Sequence, residues 1–565
     1  MNSGGGYPDE LKTFAYHSDV SSWQPQPADR IHFGPIGRWI NDPCGLVQCE
    51  GVYHLFYQLN PHGTDWGNMH WGHAVSSNLI HWEHRPVAIG PHPELGMAFT
   101  GSIVIDAENS SGFFPESSTG FVALLTTARK SKDADTLIQT QSIAYSSDQG
   151  ETWRWYSGNP VIADDDLRDF RDPKIVWHPE NRRWVMCISA GSTIRFYNSN
   201  DLLNWEWMSS YEPELVPDVC ECPVLIRFSG QRSDVWVLVY SLADPADAHF
   251  SGVRYVTGAF DGRAFHKDEF PERRLDQGPD FYAVQDWYGL PEGVDPVVIA
   301  WANNPVYSHS LASAGAGTGV MTLPRRISLS DGKQPTLLQR PATAALKRIP
   351  LEPARSVHET GIEVFDSVTA RFPVQLELRF GAGDFGRLAV FVEAGGSHRD
   401  QTEPDVAPST ATHSPKEKAE AGSPDRRTTD ESYGLFLAIE IDHTRERLRV
   451  TRDIPNFSVP EAMRETRTIS VPEPDRPLDL IMIMDQGIVE LFAWDGAVVA
   501  TYLLPGHSDS LRVRVTYDST HATPTIDGFV LVPRESNFNR EAKPGPDSTG
   551  AGQSGEWDSV EGGDS

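Results

Sequence analysis

The apolar positions of this chain fall in short runs separated by turn residues. Residues 52–58 (VYHLFYQ), 184–190 (WVMCISA), 235–240 (VWVLVY) and 296–301 (PVVIAW) are rich in β-branched and aromatic side chains. Each is bounded by Gly, Pro, Asn or Asp, which reads as a strand closed by turns. The three-and-four spacing of an amphipathic helix is scarce. The predicted fold class is all-β.

A loose repeat runs through the first half. HAVSSNLIHW ends at Trp82, IAYSSDQGETW at Trp153, RFYNSNDLLNW at Trp205 and, less closely, YVTGAFDGRAF at Phe265. A strand, a Ser/Asn-rich turn and an aromatic recurring every ~50–70 residues suggest propeller blades. Hairpins of a sandwich are the alternative.

After about residue 330 the texture changes. Trp nearly vanishes, and alternating segments take over at 375–380, 387–393, 434–441, 447–451, 479–484, 488–493 and 511–516. Evenly spaced strands of this kind predict a β-sandwich. Residues 397–432 hold almost no large apolar side chains and read as a disordered insertion. The acidic tail 536–565 reads the same way. The expected organisation is an N-terminal extension over 1–29, a propeller over 30–335, a sandwich over 345–535 and the tail.

Charge narrows the partners. The 565 residues carry 48 basic and 78 acidic side chains, a formal net charge of −30. Such a surface repels nucleic acid and anionic membranes. No apolar stretch is long enough to span a bilayer. The N-terminus lacks a basic start followed by an apolar run, so a cytoplasmic enzyme is expected, with a secreted mature form as the alternative. Five cysteines (Cys44, Cys49, Cys187, Cys220, Cys222) do not form a disulfide framework and read as free thiols. The oligomeric state stays open, a homodimer included.

Three acids stand in unusual company. Asp42 lies in Trp39-Ile40-Asn41-Asp42-Pro43-Cys44-Gly45, where Pro43 fixes the backbone behind it. Asp172 lies in Arg171-Asp172-Pro173, and a neighbouring guanidinium keeps a carboxylate ionised. Glu221 lies in Cys220-Glu221-Cys222-Pro223, where apolar surroundings would raise its pKa and suit it to donate a proton. Alone, these are an Asx turn, a surface ion pair and a loop Glu.

In this order the three motifs resemble glycoside hydrolase family 32, the invertase, inulinase and levanase family. Its nucleophile motif (Trp-Met-Asn-Asp-Pro-Asn-Gly), stabiliser motif (Arg-Asp-Pro) and acid/base motif (Glu-Cys) are all matched. So are Phe56-Tyr57-Gln58, Trp66-Gly67-Asn68-Met69-His70-Trp71-Gly72-His73, Phe99-Thr100-Gly101-Ser102, Leu275-Asp276 through Ala283, Leu323-Pro324-Arg325 and a late Asp485…Glu490-Leu491-Phe492. The resemblance implies a five-bladed β-propeller followed by a β-sandwich, and a retaining β-fructofuranosidase acting on a small sugar or oligosaccharide. It implies Asp42 as nucleophile, Glu221 as acid/base and Asp172 as transition-state stabiliser. The implied pocket is lined by Trp39, Asn41, Gln58, Trp66, Phe99, Thr100 and Gly101, with Ser102, Arg171, Tyr282 and Trp301. No cofactor and no metal are implied.

Two departures bear on the reaction. Cys44 stands where the family has Asn, which leaves transfer to a sugar acceptor, giving fructo-oligosaccharides or difructose anhydrides, as the alternative to hydrolysis. Trp301-Ala302-Asn303-Asn304-Pro305 lacks a second Trp, so a reshaped leaving-group side is expected. A non-catalytic sugar-binding propeller would have lost one of the three acids. A sialidase, suggested by the Asp-box-like SSDQGETW, would need an Arg cluster and a Tyr nucleophile.

Overall fold

A computed structural model describes residues 30–395 and 433–533, apart from short breaks at 35–36, 116–118, 133–135, 165, 216–218, 230–233, 245–246, 314–318, 333, 354, 358–361, 370–372, 382–384, 443–446, 455–459, 471–475, 486, 505–509 and 520–523. The extension, the insertion and the tail expected from the sequence lie outside the described residues. Among those described, the one α-helix is Ser308–Ser313 and nearly everything else regular is strand. No described helix is long and apolar enough to cross a membrane.

Five antiparallel sheets come first, each with four strands in sequence order, the fourth sheet carrying a short extra strand. Their first strands are Trp39–Cys49, Met97–Ile105, Phe170–His178, Val219–Phe228 and Tyr282–Asp286. These strands touch one another in cyclic order, and the fifth returns to the first. The apolar cores lie between neighbouring sheets, because side chains alternate across each strand. Val224 and Ile226 pack against Val284 and Val298 of sheet five, whereas Leu225 packs against Val185 and Phe196 of sheet three.

The repeat seen in the sequence occupies one structural position. Each Ser/Asn-rich turn joins the third and fourth strands of sheets one to four. Asn78 Oδ1 accepts the backbone N–H groups of Ile80 and His81 at 3.0 and 2.9 Å. Asp201 Oδ1 does the same for Leu203 and Asn204 at 3.0 and 2.8 Å. Asp148, in the Asp-box-like segment, accepts from Thr152 N at 2.9 Å. The indoles of Trp153 and Trp205 donate back to Gly150 O and Leu202 O, so each aromatic closes its own turn.

Beyond residue 345 two larger antiparallel sheets, of six and seven strands, share one apolar core that includes Leu376, Val390, Ile439, Met482 and Val513. The late sequence motifs join this part to the five sheets. Arg325 donates to Glu490 Oε2 at 3.0 and 2.6 Å and to Asp276 Oδ2 at 2.9 Å. Asp276 also accepts from Thr501 N at 2.9 Å. His32 reaches Asp485 at 2.9 Å and Glu490 at 2.8 Å. All of these groups are buried, and a buried ion pair that loses one partner costs about 3–5 kcal/mol.

This joint makes stability depend on pH. Burial opposes a charged His32, but its bonds to Asp485 and Glu490 outweigh that and push it up to about 9 from 6.5. Burial likewise opposes a charged Glu490, but Arg325 and His32 hold it down to about 2 from 4.5. A raised cation stabilises the fold below its unfolded pKa and loses that contribution as pH climbs through the folded one. A depressed carboxylate does so above its unfolded pKa and loses it as pH falls. The joint is therefore strongest between about 4.5 and 6.5. The Tm of the wild type should fall from pH 6.5 towards 9, and His32→Gln should start lower and show a flatter fall. Equal slopes for the two proteins would refute the assignment.

Candidate active site

The first strand of every one of the five sheets is bulged near one end. The register shifts fall between Ile40 and Pro43, between Ala98 and Gly101, opposite Cys187/Ser189, between Glu221 and Val224, and between Tyr282 and Gln285. A bulge breaks the ladder and re-aims side chains. The residues it frees here are Asn41–Asp42, Phe99–Thr100, Asp172–Pro173, Cys222–Pro223 and Ala283–Val284. Asp172, Cys222 and Ala283 stand at φ 65, 48 and 52°, a left-handed backbone that such residues adopt only when their surroundings impose it.

Five of the re-aimed residues, Asn41, Asp42, Phe99, Thr100 and Asp172, line a cavity of about 560 Å³. Asp42, Asp172 and Glu221 line it together with Trp39, Asn41, Gln58, Trp66, Phe99, Thr100, Arg171, Tyr282 and Trp301. Gly101 and Ser102 are not on its wall. A Cβ on Gly101 would come within 2.2 Å of Leu124 O, so the position serves the close approach of two strands. Ser102 Oγ accepts from Ile175 N at 3.0 Å and ties sheet two to sheet three beneath the site. Cys44 is fully buried in the apolar core between sheets one and two and lies outside the cavity lining.

The three carboxylates have distinct surroundings. Asp42 Oδ2 accepts from Thr100 Oγ1 at 2.6 Å and from the Cys222 thiol at 3.7 Å. Burial pushes Asp42 up, the Thr100 bond pulls it back, and Glu221 repels its charge. Asp172 Oδ2 accepts from Cys222 N at 3.0 Å and Cys222 Sγ at 3.5 Å. Its own N–H donates to Thr126 Oγ1, which donates to Gln141. Burial raises Asp172 to about 7 in spite of Arg171. Glu221 accepts from Arg171 at 3.2 and 2.9 Å and from the Tyr282 hydroxyl at 2.5 Å.

Two expectations change. Arg171 stands 4.0 Å from Asp172, but it spends its close bonds on Glu221 and, at 2.6 Å, on Asp169. It therefore does not hold Asp172 at an ordinary carboxylate pKa. The Glu221 side chain, 23% exposed, sits between a guanidinium and a phenol rather than in an apolar pocket. Sequence neighbours mislead here: Cys220 is buried in the core between sheets three and four, and the bulge turns Cys222 towards Asp42 and Asp172.

Trp66, 41% exposed and edge-on to Phe99, offers an apolar face at the mouth, whereas Trp39, 1% exposed and stacked on His309 at 5.3 Å, lies buried in the wall. His309, Ser308 and Pro305 reach the wall from the segment that lacks the second Trp, and Leu137 and Gln139 reach it from the third strand of sheet two, with Thr136 just before that strand. The sequence gives no periodicity or motif that singles these out. Asp42, Asp172 and Cys222 are the one described set with metal-type donors in reach of one another. Burial and the two carboxylates raise the Cys222 thiol, so it acts as a donor to them rather than as a thiolate ligand.

Carboxylates paired across a sugar-sized cavity with aromatic faces define a glycoside hydrolase. The model of the glycosyl hydrolases family 32 N-terminal domain matches residues 32–341, more than half of the chain, and the chain belongs to that family. A levanase of Bacillus subtilis is 38% identical over 330 residues, covering 56% of this chain and 48% of its own. An invertase of Schizosaccharomyces pombe is 36% identical over 339 residues, covering 56% and 57%. The chain thus spans about half the length of these curated relatives. The crystal structure of exo-inulinase from Aspergillus awamori superposes with a TM-score of 0.71 at 27% identity, covering 90% of this chain and 99% of that one.

Proposed function

We propose that the protein is a retaining β-fructofuranosidase that hydrolyses terminal fructosyl units of sucrose or fructans. We read the five sheets as the blades of a propeller over 30–335 and the two larger sheets as a sandwich over 345–535. The carrying observation is that Asp42, Asp172 and Glu221 leave the first strands of three different sheets and line one cavity. The names levanase, invertase and exo-inulinase among its relatives support fructosyl substrates.

Asp42 is the nucleophile. It attacks the anomeric carbon while Glu221 protonates the departing oxygen, giving a covalent fructosyl-enzyme and a free alcohol. Glu221, now ionised, takes a proton from water, which attacks the same carbon and releases fructose. Retention requires the two carboxyl groups to stand about 5–5.5 Å apart, with no room for water between nucleophile and sugar. Asp172 grips ring hydroxyls, Tyr282 and Arg171 orient Glu221, and the Cys222 N–H and thiol fix Asp172. Cys44 lies outside the cavity lining but bonds to Gln58, which lines it, so transfer to a sugar acceptor stays the alternative to hydrolysis. Equal amounts of glucose and fructose from sucrose are the expected products. A fructose deficit with larger or cyclised products would replace hydrolysis by transfer.

Thr100 tunes the nucleophile. Asp42 must be ionised to attack, burial raises its pKa, and the Thr100 hydroxyl opposes that rise. Thr100→Val removes the donor. The acid limb of kcat/KM should then move to higher pH, with activity recovering as pH increases. An unmoved acid limb with a uniform loss at every pH would contradict this role.

A further inference from the structure

Two segments of the cavity wall lead back to one buried cation. Asp280 precedes Tyr282 by two residues, and Tyr307 immediately precedes Ser308 and His309. Arg452 stands between Asp280 and Tyr307. It ends the strand Arg447–Arg452 of the seven-stranded sheet, far along the chain from the site. Its Nη1 donates to Asp280 Oδ2 at 2.6 Å, its Nη2 to the Tyr307 hydroxyl at 3.2 Å and its Nε to Met463 O at 2.6 Å. The Tyr307 hydroxyl donates to the other oxygen of Asp280. Leu503 N gives Asp280 a further bond at 2.7 Å. Arg452, Asp280 and Tyr307 are each at most 1% exposed.

The same contact seats the helix. Tyr307 and Leu311 pack with Ala248, Ile454 and Met463 in one apolar cluster, so residues beyond 450 carry the turn of chain that brings Ser308 and His309 to the mouth. On the other arm, Asp280 leads into the bulged start of the fifth sheet's first strand. There the Tyr282 hydroxyl donates to Glu221. Extended backbone transmits a shift over two residues with little slack. A planar guanidinium can hold Asp280, Tyr307 and Met463 O together, whereas a lysine ammonium matches that fork poorly.

We propose that Arg452 is a positioning residue for the fructosyl-cleavage site. Through Asp280 it holds Tyr282 against the acid/base Glu221, and through Tyr307 it sets the helix that borders the leaving group. The C-terminal sheets are thereby a working part of the site. This inference rests on the β-fructofuranosidase reading above.

The test compares two substrates in the full chain. Sucrose needs its leaving oxygen protonated, and β-D-fructofuranosyl fluoride does not. A residue that positions the acid should matter for the first and little for the second. Arg452→Met and the milder Tyr307→Phe should lower kcat/KM on sucrose by about tenfold or more, since small misplacements of a catalytic group carry such losses. On the fluoride they should stay within about threefold of wild type on the same ground. Arg452→Lys should recover part of the sucrose activity. Arg325→Lys alters an equally buried cluster none of whose partners lines the cavity. It should lower Tm and leave the sucrose-to-fluoride ratio at the wild-type value. If Arg452→Met does not fold, Tyr307→Phe decides. Equal losses on both substrates, or no loss on either, would overturn the proposal. Glu221→Ala run in parallel separates the two levels. Selective loss on sucrose there, without it in the Arg452 and Tyr307 variants, removes only the positioning role. Absence of selective loss in Glu221→Ala removes the underlying reading.

Discussion

Asp42→Ala should lower kcat/KM for sucrose and for short fructans by about 10⁴-fold or more, with the fold and Tm close to wild type. Nothing nearby can take over the attack. Asp172 is held by the Cys222 N–H and thiol and belongs to a different sheet. Tyr282 is pushed well above its ordinary range by burial and by Glu221, so it stays protonated. Loss of a nucleophile forces direct attack by water, and losses of several orders of magnitude are the usual result. Stability should hold, because the described partners of the Asp42 carboxylate are the side chains of Thr100, Cys222 and Asn41. Removing a buried acid whose charge is opposed by burial and by Glu221 relieves repulsion. Circular dichroism and thermal unfolding check the fold, and steady-state kinetics checks the rate. Turnover near wild type would remove Asp42 from the mechanism.

Glu221→Ala should cost about 10²–10⁴-fold on sucrose, the usual span for a general acid. It should cost far less in kcat/KM on β-D-fructofuranosyl fluoride. A small anion such as azide should restore turnover on the fluoride by attacking the fructosyl-enzyme in place of activated water, giving a fructosyl azide of retained configuration. The geometry supports this division of labour. Glu221 is the carboxylate whose two oxygens take bonds from Arg171 and Tyr282, and its side chain is 23% exposed, against 4% for Asp172, as a group that must meet both leaving group and water requires. Its removal leaves Arg171 with Asp169 as a partner. Equal losses on the two substrates would show that Glu221 does not act as an acid.

Much of this was legible in the sequence, for identifiable reasons. The β-rich runs at 52–58, 184–190, 235–240 and 479–484 became Val52–Asn60, Arg183–Ala190, Val235–Ala243 and Leu478–Asp485, because each fills a core on at least one face and the pattern records that burial. The Ser/Asn-rich repeat was legible because one turn needs a side-chain acceptor and an aromatic at fixed offsets. The bulges were not legible. They set two residues against one on the partner strand without disturbing its composition, and they alone decide that Asp42, Thr100, Asp172 and Cys222 converge. The partner of Arg171 was misread because adjacency in sequence suggested Asp172, whereas the guanidinium bonds Glu221, fifty residues on and in the next sheet. The motifs around Asp276, Arg325 and Glu490 are visible in the chain, yet only the fold shows that they build the joint between its two parts rather than the sugar pocket.

The central claim is that a fructosyl unit passes through a bond to Asp42. The most direct measurement is mass spectrometry of Glu221→Ala mixed with β-D-fructofuranosyl fluoride, quenched in acid and digested. The predicted result is a mass gain of one fructosyl residue on the peptide that carries Asp42, lost again when azide is added before the quench. A fructosyl adduct on any other residue, or first-formed fructose of inverted configuration from the wild type, would contradict it.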